Sequence, residues 1–366
     1  MTTNHYYASD LAVPPGEYLQ EVINDLGMSQ TELAERMGRP VQAVNEIIRG
    51  EKAITPETAI QLGDVTGVPS HLWNGLEAEY RLVLAQYKEN QRMESEITLV
   101  GEFPYSEIAK HGFLKKTRIL VERVMELRRF FGVASLYNLE TVDDYEPAFR
   151  QGKGGKASPY ALIAWLRMAE IEAKAVECAA FSGIALKAVL PEIKALTREN
   201  PDSFLPKLRR LLAGCGVAFI LQPHLPKTYA HGATFFLGDK AVLLMSIRGA
   251  WADVFWFSLF HEIGHVVLHS KRQRFLENGA TDPALQRQED EADSFARELL
   301  IPAKRWGKFV EERRFSEKHI QAFADEIGVA PGIVTGFLQH NRHLPHAYHT
   351  LRIKYQWREP SDNPKN

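Results

Sequence analysis

Trp251-Ala252-Asp253-Val254-Phe255-Trp256-Phe257-Ser258-Leu259-Phe260-His261-Glu262-Ile263-Gly264-His265 is the stretch whose reading decides this chain. It is apolar, free of turn signals and too long for one strand, so it predicts a buried helix. Val254, Phe257, Ser258, His261, His265, Leu268 and His269 then follow helical spacing and share one stripe. Buried imidazoles need partners. Two imidazole nitrogens one turn apart, joined by one carboxylate, are the protein half of a tetrahedral catalytic zinc site whose fourth position belongs to water. Glu262 lies beside the stripe and is placed to take that water's proton, so the expected chemistry is peptide-bond hydrolysis. The pentapeptide also arises by chance, and the plain alternative is a helix of hydrogen-bonded core histidines.

The third ligand is sought in Glu289-Asp290-Glu291-Ala292-Asp293. Glu289, Ala292, Asp293, Ala296, Leu299 and Leu300 share a face whose small and apolar members read as core-facing. Glu291, two residues on, points nearly the opposite way. Glu289 is therefore the expected ligand. Asp293, one turn further, is placed to accept the second N–H of a ligating histidine, with an ordinary surface acid as the alternative. His269 is read as a substrate contact or a packed ring rather than a ligand.

These residues resemble the ImmA/IrrE family of metallopeptidases, which pairs H-E-x-x-H with a helix of the form E-x-x-A-[N/D]-x-F-A followed by L-L-x-P. Here that helix reads Glu289-Asp290-Glu291-Ala292-Asp293-Ser294-Phe295-Ala296, then Leu299-Leu300-Ile301-Pro302. His231-Gly232-Ala233-Thr234-Phe235-Phe236 and Met245-Ser246-Ile247-Arg248-Gly249 are similar to the family as well, while Ser258 stands where many members carry Thr. The resemblance implies His261, His265 and Glu289 as metal ligands, Glu262 as general base, and a repressor-type transcription factor as substrate.

The N-terminal part reads differently. Ser29 at a helix N-cap with Glu32 three residues later makes a capping box for a helix over 29–37. Gly38-Arg39 turns the chain, and Pro40 opens a second helix with Val41, Val44, Ile47 and Ile48 as its apolar face. Thr55-Pro56 caps a third. The segment resembles the DNA-binding domain of HigA-type antitoxins and phage-repressor-like regulators, through Ser29-Gln30-Thr31-Glu32-Leu33-Ala34, Ile47-Ile48-Arg49-Gly50, Ile54-Thr55-Pro56-Glu57 and Leu72-Trp73. In that fold Pro40–Ile48 would be the recognition helix, with Arg39, Gln42, Ala43 and Asn45 nearest the base edges. Against DNA stands the charge, since residues 14–80 hold four basic and eleven acidic side chains, a net of −7. A docking or dimerisation module is the alternative. Lys110, Lys115, Lys116, Arg118, Arg123, Arg128 and Arg129 follow on a stretch with an apolar stripe of Ile119, Leu120, Val124, Leu127 and Phe131. That run reads as a solvated helix face, or as extra phosphate contacts.

Composition adds bounds. The 366 residues, 45% of them hydrophobic and 25% charged, suit two or three packed domains. No run approaches the ~18 apolar residues of a membrane span, and the polar start lacks the order of a signal peptide, so a cytoplasmic protein without membrane contact is expected. Cys178 and Cys215 lack metal or disulfide spacing and are expected as buried free thiols.

Gln151-Gly152-Lys153-Gly154-Gly155-Lys156-Ala157-Ser158-Pro159 predicts a flexible linker. Beyond it the pattern predicts helices over 160–180 and 186–196, a buried strand over 216–221, and a hairpin of 234–237 with 241–245. An edge strand beside the metal helix is expected to hold extended substrate. Residues 323–331 echo 33–40, which predicts a second helix-turn-helix-shaped pair serving as scaffold. His340, His343, His346 and His349 follow, and such a tract is more often solvated than metal-bound.

The expected architecture is multidomain and mainly α. It comprises a helix-turn-helix domain (1–80), a connecting helical segment (81–150), an α+β metallopeptidase domain (151–306) and a C-terminal helical segment (307–366). The expected function is transcriptional regulation coupled to zinc-dependent endopeptidase activity on a repressor or on the chain itself. Manganese or iron fits the same ligands. A homodimer would suit palindromic DNA. The alternative is a non-enzymatic DNA-binding antitoxin or transcription factor with a structural or sensory zinc site.

Overall fold

The computed structural model describes residues 12–143, 145, 148, 149, 157–269, 275, 276 and 283–357. The expected linker lies outside the described residues as far as Lys156. The protein is multidomain and mainly helical, and forms two compact units, Met1–Glu96 and Ile97–Asn366.

The first unit contains α1 (Pro15–Asp25), α2 (Gln30–Met37), α3 (Val41–Ile48) and α4 (Pro56–Thr66). Ser29 and Thr55 cap α2 and α4 as the sequence predicts. Ser29 Oγ accepts the Glu32 N–H at 3.1 Å, while the Glu32 carboxylate turns to Arg36 instead of closing the expected box. Gly38 takes the left-handed conformation (φ +65°) that lets α2 end and the chain turn into α3. Leu19, Ile23, Leu33, Val44, Ile47, Leu62 and Trp73 close the core. Gly16 has no room for a side chain, since a Cβ would sit 2.3 Å from the Ile47 carbonyl oxygen. After α4 the helix α5 (Ser70–Val100) runs unbroken through position 80, because no proline interrupts its 31 residues.

The second unit is built on a four-stranded sheet of order β1-β3-β2-β4, comprising β1 (Val217–Leu221), β2 (Gly232–Leu237), β3 (Lys240–Met245) and β4 (Phe275–Leu276). β2 and β3 form the expected hairpin around Gly238-Asp239, with Gly238 at φ +60° as such a tight turn requires. β1 lies parallel to β3, and the short β4 pairs with β2 at Ala233 and Thr234 and so forms the edge.

Before the strands stand α6 (Tyr105–Lys110), α7 (Leu120–Phe131), α8 (Pro159–Ala175), α9 (Gly183–Ala195) and α10 (Pro201–Gly214). In α7, Val124, Leu127 and Phe131 are buried as expected, but Ile119 and Leu120 are exposed and Arg128 is drawn inward. The helix expected over 160–180 ends at Ala175. Residues beyond it are claimed by tertiary bonds, Ala179 N–H to the Ala213 carbonyl, Phe181 N–H to Asp239 and Ser182 N–H to Cys215, which helical geometry could not make. Leaving the helix also leaves Cys178 half exposed, while Cys215 is buried, and both are free thiols.

The sheet and helices pack around α11 (Ala252–Leu268), which has twelve buried residues on all sides and is therefore a central helix. Beside it lies α12 (Pro283–Leu300). The two approach closely at Gly264, where a Cβ would be 3.2 Å from the Ala292 Cα. α13 (Ala303–Glu311), α14 (Glu317–Ile327) and α15 (Pro331–His340) complete the unit. The α14–Gly328–α15 pair does have the shape of α2–Gly38–α3, with a left-handed glycine at each turn. Its apolar face, including Ile320, Phe323, Ile333 and Leu338, joins the same core as Phe255, Trp256 and Leu259. No helix among the described residues is long and apolar enough to cross a membrane.

Candidate metal centre

α11 carries His261 and His265 one turn apart, and both rings are buried, at 2% and 1% exposure. Their Nε2 atoms lie 3.0 Å from each other, within hydrogen-bond distance, so both rings present the same edge to one point. α12 brings Glu289 to the same point. Its carboxylate oxygens lie 3.2 Å from His261 Nε2 and 3.4 Å from His265 Nε2. Among the described residues these three form the group able to hold a metal ion, with donor atoms within 4.8 Å of one another. The His340–His349 tract is not part of it and its rings are exposed.

Second contacts orient the donors. His261 Nδ1 is 2.9 Å from Asp293 Oδ1, and Asp293 is held in turn by Arg297 at 3.0 Å. A carboxylate there keeps the proton on Nδ1 and leaves Nε2 free as a ligand. His265 Nδ1 faces His269 Nδ1 at 3.0 Å, and the far side of His269 meets Glu291 at 3.2 Å. His269 and Glu291 thus pair with each other, outside the cluster. Burial holds His265 below its ordinary value and hence neutral. Burial pushes the Glu289 carboxyl up, but its contacts with the His261 and His265 rings outweigh it and hold it at about 2. A neutral imidazole and an ionised carboxylate are the forms that bind a metal.

Glu262 is fully buried. The start of β2 lies directly on it, since a Cβ on Gly232 would fall 2.6 Å from Glu262 Cγ.

Two family models match this chain. The Helix-turn-helix model covers residues 19–73, and the IrrE N-terminal-like domain model covers residues 253–335. The chain belongs to the helix-turn-helix regulators, fused to an IrrE-like domain. Among curated proteins, it is similar to the uncharacterized HTH-type transcriptional regulator YddM of Escherichia coli, 32% identical over 72 residues, 20% of this chain and 77% of that protein. Virulence-associated protein I of Dichelobacter nodosus is 32% identical over 76 residues, 20% of this chain and 70% of that one. Among solved structures, an addiction module antidote protein of the HigA family from Coxiella burnetii is 31% identical, covering 23% of this chain and 94% of that one with a TM-score of 0.22. The antitoxin HigA of Pseudomonas aeruginosa with the higBA promoter is 29% identical over 24% of this chain and 95% of that one, also with a TM-score of 0.22.

In the IrrE-like domain the cluster adjoins a cavity of about 560 Å³, lined among others by His231, Ser258 and Asp293. Of Tyr229, His231 and Arg248, His231 is the one that lines that cavity. Tyr229 and Arg248 lean on each other, guanidinium over ring at 5.0 Å. Burial, then the positive charge of Arg248, pushes His231 down to about 4 and keeps it neutral.

On the helix-turn-helix domain, α3 leaves Gln42 exposed and Asn45 half exposed. Arg39 Nε donates to Gln61 Oε1. Ala43 departs from the expected reading face. It is 8% exposed, because one step of ~100° from Gln42 turns it into the core beside Val44 and Ile47.

Proposed function

We propose that this protein is a DNA-binding regulator whose IrrE-like domain hydrolyses a peptide bond with a bound zinc ion. The observation that carries the reading is the buried convergence of His261, His265 and Glu289, with Glu262 beside it and Asp293 behind it. A structural site has no use for an adjacent buried carboxylate. Two imidazoles and one carboxylate fit zinc, and leave a position open. Bound there, the ion supplies Lewis acidity to a water and to a peptide carbonyl.

The remaining work falls to the chain. Asp293 keeps His261 in the tautomer that presents Nε2. Glu262 takes the proton of the attacking water and passes it to the leaving nitrogen. His231, neutral and on the cavity wall, supplies the N–H that meets the carbonyl oxygen as charge develops there.

The fused helix-turn-helix domain addresses this activity to DNA, through Arg39, Gln42 and Asn45. The substrate class that suits a peptidase tethered in this way is a repressor-type regulator or the chain's own helix-turn-helix domain. The test is co-expression with candidate repressors. The native protein should cleave one of them and Glu262→Gln should cleave none while retaining one zinc per chain. Unchanged cleavage by Glu262→Gln, or a native protein that binds no zinc, overturns the reading. Gel shifts on the chain's own promoter with Gln42→Ala and Arg39→Ala test the DNA half, which falls if neither change weakens binding.

A further inference from the structure

The cavity beside the metal cluster has a wall that the catalytic reading leaves without a task. We infer that it is the specificity pocket for one bulky apolar side chain of the peptide substrate, and that the C-terminal helices build its selecting wall. The inference rests on the hydrolase reading only for the word substrate.

Rings lead from the metal ligand into the pocket. The His261 ring lies 6.5 Å from Phe257, Phe257 lies 6.1 Å from Phe337 on α15, and Phe337 lies 6.0 Å from Trp306 on α13. Val254 and Ile301 line the same space. All three aromatic rings are partly exposed, so they line the space instead of closing it. The three carboxylates at its rim are already engaged. Asp293 is held by Arg297 at 3.0 Å, Asp253 by Arg352 at 2.8 Å, and Glu298 accepts the Ala303 N–H at 3.0 Å. A charged substrate side chain would give up its water to meet carboxylates already paired, whereas an apolar one displaces only water. The space of about 560 Å³ suits a side chain as large as Phe or Trp with part of its neighbours.

The wall is placed by a glycine. A Cβ on Gly336 would fall 2.2 Å from Asp253 Oδ2, so α15 can press onto α11 and set Phe337 against Phe257 only because that position is bare. The helix pair that echoes the N-terminal module thus presents an aromatic to a peptide, where the first pair presents polar side chains.

The test uses full-length, zinc-loaded Glu262→Gln protein labelled with 5-fluorotryptophan, the Trp306 resonance being assigned by its loss in Trp306→Phe. N-acetylphenylalaninamide should shift that resonance at concentrations where N-acetylalaninamide does not. Val254→Trp, which fills the space from a position outside the ligand set, should weaken the response at least tenfold with zinc content unchanged. In parallel, casein cleavage sites of the native protein should share a bulky apolar residue at one fixed position. Val254→Trp should erase that preference. A Trp306 resonance that ignores the phenylalanine probe, or responds equally to both, overturns the pocket even where casein is cleaved. A selective shift without cleavage upholds the pocket and removes the hydrolase reading instead.

Discussion

Gly232, the first residue of β2, lies so close to Glu262 that a Cβ there would sit 2.6 Å from both its Cγ and its Oε1. Because Glu262 is fully buried it has nowhere to retreat. Gly232→Ala should therefore cost about 1–3 kcal/mol of stability by overpacking. It should also displace the proposed general base, lowering peptide cleavage at least tenfold while zinc stays bound. Urea unfolding, zinc analysis and cleavage rate on one preparation check this, and a variant with native stability and rate contradicts it.

Asp293 has a narrower expected effect. Its 2.9 Å bond to His261 Nδ1 orients a proposed ligand from the side away from Nε2. Asp293→Ala should weaken zinc about 10–100-fold by competition against a chelator. Asp293→Asn, which preserves the shape, should recover part of that loss.

Removal of a ligand is a different case. His261→Ala leaves two donors of the three, so stoichiometric zinc should vanish on dialysis, and the zinc-dependent rise in melting temperature should go with it. Retention of one zinc per chain would place the metal elsewhere.

His231 gives a pH signature. Its folded value of about 4 lies below the ordinary 6.5, so the unfolded chain takes up the proton first. Stability attributable to this group is then complete above about pH 6.5 and falls as pH drops toward 4, by about 2 kcal/mol after allowance for partial exposure. His231→Gln should flatten the pH dependence of the urea midpoint across that window. A slope identical to the native one would assign it to other groups.

The strap at the end of the described chain holds the start of the metal helix. Arg352 makes two bonds to Asp253, at 3.0 and 2.8 Å, donates to Gln339 and stacks over Trp251 at 4.1 Å. Arg352→Ala would strand a buried carboxylate and should cost about 3–5 kcal/mol in chemical denaturation. The double change Asp253→Asn with Arg352→Met should cost less than the single one.

Much of this was legible without a fold, because it depends on neighbours along the chain. Helical spacing alone set His261 and His265 on one stripe and separated Glu289 from Glu291, and the caps at Ser29 and Thr55 are local hydrogen bonds. What spacing could not supply is contact between distant segments. It ended α8 at Ala175, where residues far along the chain offered Ala179, Phe181 and Ser182 better partners than another helical turn. It turned Ala43 inward. The convergence of α11 and α12 on one point, the glycine gap that admits Glu262 under β2, and the aromatic wall lent by α13 and α15 all depend on close packing between segments up to a hundred residues apart. No periodicity within one segment encodes such a distance. It is fixed only when side chains exclude one another in three dimensions.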